Sequence, residues 1–242
     1  MEKIFDKILQ IFLPPLCINC NKLLHQNDIL CSECLLTIPI ANGFYCPICN
    51  NRLPFIKKIC HPQSNFVLAS VSFYENPIIQ NIIQQLKYNH LKQTAIIFNK
   101  LIYSYLQKYQ NEWNDFLSNE TLIIPVPITK LKLRQRGYNQ SMIIALSLQQ
   151  QIKLVLNKTI EIKEDVIKKS KENFSQTQMK NNDDRKLNVK NVFQIINPSI
   201  LLNKNIIIVD DVFTTGATLN EISNLLKKNK CKKIISFTIA KA

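Results

Sequence analysis

Asn205-Ile-Ile-Ile-Val-Asp-Asp-Val-Phe-Thr-Thr-Gly-Ala-Thr-Leu219 is the stretch whose reading decides the fold. Ile206, Ile207, Ile208 and Val209 form a short β-branched run of the kind that fills a buried parallel strand. The run ends in two adjacent acids, Asp210 and Asp211. Thr214, Thr215, Gly216, Ala217 and Thr218 then open a helix whose apolar residues are Leu219, Ile222, Leu225 and Leu226. A tight loop entering a helix N-terminus presents unpaired backbone N–H groups and the positive end of the helix dipole, which suits a phosphate. The acids beside it can bond a diol on the same ligand, so the pattern reads as a sugar-phosphate site. A Walker B strand also ends in acids, but it needs a G-x-x-x-x-G-K-[ST] partner, and a dinucleotide fold needs G-x-G-x-x-G. With only Gly43, Gly137 and Gly216 in the chain, neither motif exists. The plain alternative is a strand end whose acids merely cap the next turn.

Apolar strand, paired aspartates and TTGAT together closely resemble the PRPP (5-phosphoribosyl 1-pyrophosphate) motif of type I phosphoribosyltransferases. The resemblance implies that Asp210 and Asp211 hold the ribose and are the catalytic pair. It assigns Val212, Phe213, Thr214, Thr215, Gly216, Ala217 and Thr218 to the 5′-phosphate.

At 242 residues there is room for one ordinary domain and a small one, and a 46% hydrophobic content can bury a core. The net charge of +14 suits polyanions. Lys, Asn and Ile are so abundant, however, that much of the lysine can be solvated surface. The same bias makes rare residues informative. Average usage predicts about 17 glycines, and arginine occurs only at 52, 134, 136 and 185. An arginine retained where lysine is so readily used suggests a two-pronged contact to phosphate or carboxylate.

Eight cysteines are present, six of them at paired spacing in the first sixty residues, and they read as metal thiolates in a reducing cytoplasm. Cys17, Cys20, Cys31 and Cys34 form two C-x2-C knuckles, the pattern of a tetrahedral structural zinc. The pattern repeats at an offset of 29, placing Cys46, Cys49 and Cys60 in register with Cys17, Cys20 and Cys31. The fourth place falls on Gln63, with His61 as the substitute ligand. The expectation is a zinc ribbon followed by a degenerate copy that binds metal weakly.

Residues 3–13 read as an amphipathic helix stopped by Pro14-Pro15. Asn65 to Tyr74 alternates as a strand, which sets an expected boundary between residues 1–64 and 65–242. Pro77 opens a helix running toward Lys87-Tyr88, and Leu91 to Tyr109 is a second. Thr121 to Val126 reads as a buried strand leading into a loop with Lys130, Lys132, Arg134, Arg136, Gly137, Asn139 and Gln140. Basic groups at the carboxyl end of a parallel strand sit where open sheets bind ligands, so this loop is expected to hold pyrophosphate. Residues 141–156 read as a helix and Ile160 to Ile167 as a strand. The polar segment from Lys168 to Asn191 has the length of a lid, with Arg185 as the residue that reaches over the ligand. Lys233 to Ala240 reads as the last strand. No apolar run is long enough to span a membrane.

Taken jointly, the cysteine repeat, Leu86-Lys87-Tyr88, Pro125-Val126-Pro127, Arg134 to Gln140, Ser175-Gln176 with Arg185 and Asn188, and Asp210 to Thr218 resemble the ComF family. That resemblance covers nearly the whole chain. It implies an α/β fold, namely a type I phosphoribosyltransferase-like parallel sheet flanked by helices, with a small N-terminal zinc-ribbon domain. It also implies structural Zn²⁺, Mg²⁺ with PRPP, and a cytoplasmic role, free or peripheral at the inner membrane. That role is in natural competence or DNA utilisation, with single-stranded DNA and a competence helicase or other competence proteins as partners. The alternative is an active transferase moving ribose 5-phosphate from PRPP to an acceptor, with Mg²⁺ and the 125–140 loop neutralising the leaving pyrophosphate.

Overall fold

The computed structural model describes residues 15–24, 28–54, 60–86, 91–118, 120–169 and 192–242. The expected N-terminal helix and Lys87-Tyr88 lie outside these residues, as do Ser175, Gln176, Arg185 and Asn188. In chain order the elements are α1 (Ser32–Leu36), β1 (Phe44–Tyr45), β2 (Arg52–Leu53), β3 (Val67–Phe73), α2 (Pro77–Gln85), α3 (Leu91–Lys108), α4 (Gln110–Phe116) and β4 (Thr121–Pro125). They continue with α5 (Lys130–Arg136), α6 (Gln140–Leu156), β5 (Glu161–Ile162), β6 (Ile167–Lys169), β7 (Phe193–Ile195), β8 (Asn205–Phe213), α7 (Ala217–Lys228) and β9 (Lys233–Lys241).

Seven strands form one sheet in the order β2-β1-β3-β9-β8-β4-β5. From β3 to β5 every neighbour is parallel, whereas β1 runs antiparallel to both β2 and β3. Helices cover both faces, which is why the central strands are buried along most of their length, the few polar residues of β3 and β9 included. Successive side chains point to opposite faces. Ile123, Ile207, Val209, Ile235 and Phe237 therefore join the core that includes α3, α4 and α6 residues such as Tyr105, Trp113 and Leu148. Ile124, Ile206, Ile208 and Ile234 join the core containing Leu219, Ile222 and Leu226 of α7 and Phe193 of β7.

The helices start where their caps dictate. Asn76 accepts from Ile78 N–H and Ile79 N–H ahead of Pro77, and Asn139 accepts from Ser141 N–H at the start of α6. Two expectations are corrected. The basic stretch after β4 is a helix, not a loop. Thr129 caps it by accepting from Lys132 N–H, and Gly137 ends it in the left-handed conformation at φ +77°. Ile160 to Ile167 is not one strand. It divides into β5, an edge of the main sheet, and β6, which pairs antiparallel with β7 in a separate hairpin.

Hydrogen bonding and packing run across residue 64. The pairs Phe44↔Ala69 and Tyr45↔Leu68 join β1 to β3. Phe44 packs against Trp113 at 5.7 Å and against Tyr105 and Tyr109 at 6.5 and 6.4 Å between ring centroids. The buried Tyr105 hydroxyl donates to Gly43 O at 2.9 Å.

Candidate functional site

The two cysteine clusters have the same local geometry. In the first, Cys17 N–H donates to Lys22 O and Asn21 N–H to Cys17 O. In the second, Cys46 N–H donates to Asn51 O and Asn50 N–H to Cys46 O. Asn21 and Asn50, also 29 residues apart, both sit at positive φ, 59° and 58°. Asparagine tolerates that region better than most residues, so each closes its knuckle. The sulfurs of Cys17, Cys20, Cys31 and Cys34 lie within 4.8 Å of one another, and so do those of Cys46, Cys49 and Cys60 with a ring nitrogen of His61. Cys20 and Cys31 Sγ are 3.7 Å apart, and Cys49 and Cys60 Sγ 3.6 Å. A tetrahedron with Zn–S bonds of about 2.3 Å has edges of about 3.8 Å, so both donor sets fit zinc.

Gln63, the residue in register with Cys34, is exposed, and His61 takes the fourth place instead. Its Nδ1 lies 3.4 Å from Cys46 Sγ and 3.2 Å from Cys60 Sγ. Burial pushes the Cys17 thiol up, but the N–H groups of Cys31, Cys20 and Asn19 outweigh it and bring it down to about 6. Cys46 is held down to about 7 in the same way, by the N–H groups of Cys49 and Ile48. A lowered pKa favours the thiolate, the form a metal binds, at Cys17 and Cys46, while Cys31 and Cys60 are pushed up to about 12. Both clusters could hold zinc.

At the carboxyl ends of β4 and β8 the second set of predicted residues meets. Strand β8 does not stop at the acids. It continues to Phe213 because β9 runs beside it, with Asp210 opposite Thr238 and Val212 opposite Ala240. The acids therefore project from a paired strand and not from a free loop. Ser141 Oγ, in the first turn of α6, donates to Asp210 Oδ1 at 3.1 Å, and Asp211 N–H donates to the same oxygen at 3.0 Å. Burial and then the neighbouring Asp211 charge push the Asp210 carboxyl up to about 7. The Asp211 N–H, the Ser141 hydroxyl and Lys169 of β6 pull the other way.

The N-terminus of α6 is fixed beside the acids. Asn139 Nδ2 donates to Val126 O at 3.0 Å, and Val126 N–H donates to Val209 O at 2.9 Å. Arg136 donates to Gln140 Oε1, while Gln140 Nε2 is buried without a partner among the described residues. Arg134 lies exposed on α5, away from this lattice of bonds, and Gly137 is exposed.

Beyond β8, Gly216 occupies the position before α7 at φ +70°. A Cβ there would meet the Phe213 ring at 2.7 Å, so only glycine lets the loop fold back over that buried ring. Thr214 and Thr215 are exposed, and Ala217 and Thr218 are half-buried. Asn220 N–H is taken by Gly216 O, and the N–H groups of Thr218 and Leu219 have no partner among the described residues. A paired carboxylate, a glycine-closed loop and unpaired N–H groups at a 12-residue helix could cradle a phosphorylated diol.

Sequence reading missed Ser141 and Lys169. Ser141 looked like one more helical residue, and its only signal was a hydroxyl in the first turn after Gly137-Tyr138-Asn139-Gln140. Lys169 carried none, because only the β6–β7 pairing brings it near the acids.

Comparison with known proteins bears on the identity of this arrangement. The family described as Phosphoribosyl transferase domain matches residues 134–242, which hold Arg134, Gln140, Ser141 and the whole of β8 and α7. Competence protein F of Haemophilus influenzae is 29% identical, over 93% of this chain and 96% of its own. The chain is similar to ComF proteins over nearly its whole length. Two further relatives align over similar shares. Competence protein ComFC of Bacillus subtilis is 23% identical over 91% of this chain and 87% of its own. DNA utilization protein YhgH of Escherichia coli is 25% identical over 88% and 85%. Among the described residues, no helix is long and apolar enough to cross a membrane.

Proposed function

We propose that this protein binds PRPP, or a related ribose phosphate, at the carboxyl ends of β4 and β8, and that it acts in natural competence or DNA utilisation by handling incoming single-stranded DNA. The observation that carries the binding reading is Asp210 held by Ser141 beside the glycine-closed loop at 213–218. Asp210 and Asp211 take the ribose hydroxyls, and the loop from Val212 to Thr218 with the N-terminus of α7 takes the 5′-phosphate. Arg136, Asn139 and Gln140 face the pyrophosphate end, with Arg134 and Gly137 at its margin. Arg185 belongs to the segment assigned to the lid. Mg²⁺ bound with PRPP supplies charge neutralisation to the pyrophosphate. The names of the relatives support the DNA-handling role, which brings single-stranded DNA and a competence helicase or other competence proteins as partners. Residues 1–64 form the metal-binding unit in this reading and residues 65–242 the ribose-phosphate unit.

A catalytic reading draws on one specific feature. Asp210 at about 7 is poised to accept a proton near neutral pH. In that reaction the C1–O bond to pyrophosphate breaks, an acceptor nucleophile bonds C1, and its proton passes to Asp210. Calorimetric titration of the zinc-loaded full chain with PRPP and Mg²⁺ tests the binding reading. Binding that Asp210→Asn/Asp211→Asn abolishes is the expected outcome, and no heat from the wild type refutes it. Pyrophosphate release from PRPP with an acceptor separates enzyme from binder.

A further inference from the structure

The opposite end of the sheet carries a different surface. There the turn after α7 and the turn before β8 are bonded side by side, Lys232 N–H to Lys204 O at 2.9 Å and Asn203 N–H to Lys230 O at 3.1 Å. That pairing gathers Lys204, Lys227, Lys228, Lys230, Lys232 and Lys233 at one end of the domain. Part of this charge has a structural use. Lys227 and Lys228 answer the carboxyl-end dipole of α7, and Lys227 Nζ also donates to Lys232 O at 2.9 Å. Lys204 reaches Glu120 at 3.4 Å. The remainder is uncompensated, because Lys228, Lys230, Lys232 and Lys233 have no acid within 4.0 Å among the described residues. Backbone pairing thus brings two lysine-bearing turns together, and among the described residues their one ion pair is Lys204 with Glu120.

Lys204 also lines a cleft of about 620 Å³ at the start of β4 and β5. The charges of this cleft cancel, since Glu120 pairs with Lys204 and Glu161 with Lys163. The rest of its lining includes Gln149, Thr159, Ile160 and Ile200, a mix of amide, hydroxyl and apolar groups. A neutral polar cleft adjoining a lysine run suits a flat polar ring attached to a phosphate chain.

We propose that this end of the sheet binds single-stranded nucleic acid, with phosphates on the lysines and a base in the cleft. The surface is separate from the Asp210 site, because the six residue steps along β8 from Lys204 to Asp210 span about 20 Å. The choice of nucleic acid rests on the DNA-handling reading above. An anionic lipid surface would use the lysines but not the cleft. It would also want an apolar face to insert, and at these turns the exposed large apolar residue is Leu202 alone.

The test uses the zinc-loaded full chain and fluorescence anisotropy with labelled oligo-dT across a salt series. Lys228→Gln/Lys230→Gln/Lys232→Gln is expected to weaken binding at least about tenfold at low salt. It should also flatten the slope of log K against log salt by about 2, from the loss of three phosphate contacts at roughly 0.7 each. Thr159→Trp, which fills the cleft, is expected to weaken binding without changing the slope. The triple variant should melt with the wild type, so that lost affinity is not lost fold. A triple variant that binds as the wild type does, with the same slope, overturns the proposal. So does a wild type that binds anionic vesicles but not oligo-dT. Neither result bears on PRPP, and failure of the PRPP titration leaves this measurement intact.

Discussion

Replacing Gly216 by alanine perturbs the phosphate loop by one methyl group, and Gly137→Ala is its natural control. Both glycines hold positive φ, +70° and +77°, so both substitutions carry the same left-handed penalty of about 1–2 kcal/mol. They differ in space. A Cβ at 137 meets nothing within 4 Å, whereas at 216 it lies 2.7 and 2.9 Å from two atoms of the Phe213 ring. That ring is 2% exposed and packed in the core with Leu219 and Ile222, so it has nowhere to go without disturbing its neighbours. Overpacking of this kind costs about 1–3 kcal/mol. Because the backbone penalty cancels, the difference between the two variants isolates that steric part. For a chain of this size 1 kcal/mol lowers Tm by about 2–4 °C. Gly137→Ala should therefore fall by about 2–8 °C, and Gly216→Ala should melt a further 2–12 °C lower. Thermal unfolding by circular dichroism reads both. If the two variants melt together, Gly216 is not packed over Phe213, and the account of the loop collapses.

Three further outcomes follow from the geometry. The Asp210 carboxyl at about 7 lies above the ordinary 3.8, so the folded chain holds a proton that the unfolded chain releases. Stability from this group is complete below about pH 4 and lost as pH rises through about 7, by at most about 4 kcal/mol. Asp210→Asn should thus melt above the wild type at pH 8 and lose that advantage at pH 4–5; a constant gap across Tm-versus-pH curves argues against the buried carboxyl. Metal analysis of the purified chain should find two zinc ions, from two four-ligand clusters, and His61→Ala should lower the count toward one. One zinc in the wild type would remove the second cluster as a site. Tyr105→Phe leaves Gly43 O without its buried donor and should cost about 1–3 kcal/mol in a single cooperative unfolding transition, measurable in denaturant.

Strong local chemistry made most of the architecture legible. The Ile206–Val209 run, the helices after Pro77 and after Asn139, and the cysteine spacing each carry their own period or cap. Segments decided by distant partners were not legible. Residues 130–136 have Leu131 and Leu133 two apart, both exposed, so no apolar stripe marks a helix there. Thr129 and Gly137 were the available signal, a cap at each end. The extension of β8 past its acids depends on β9, and nothing in VDDVF announces that neighbour. Strands β1 and β2 are two residues each, too short for any pattern, and they earn their place through β3 and the Phe44 contacts. At the site, the carboxylates and the glycine were readable because few other residues can do their work. Ser141 and Lys169 depend on a helix end and a hairpin being brought alongside.

The position of β9 has a consequence for how the chain is assembled. It is the latest strand in sequence yet lies at the middle of the sheet, between β3 and β8. Until residues 233–241 arrive, β3 and β8 are two separate edges with open backbone groups, and the halves they belong to are joined by helix packing and not by a strand ladder. The earlier half holds both metal clusters and the aromatic cluster around Phe44, and the later half holds the paired aspartates. Synthesis therefore passes through a stage in which the metal-bearing half can order itself while the strand with the acids is still an unmatched edge. Such edges invite pairing with other chains. Truncations that remove β9 should aggregate instead of yielding a smaller soluble domain, and a split of the chain after residue 232 should be rescued by supplying the missing strand as a peptide.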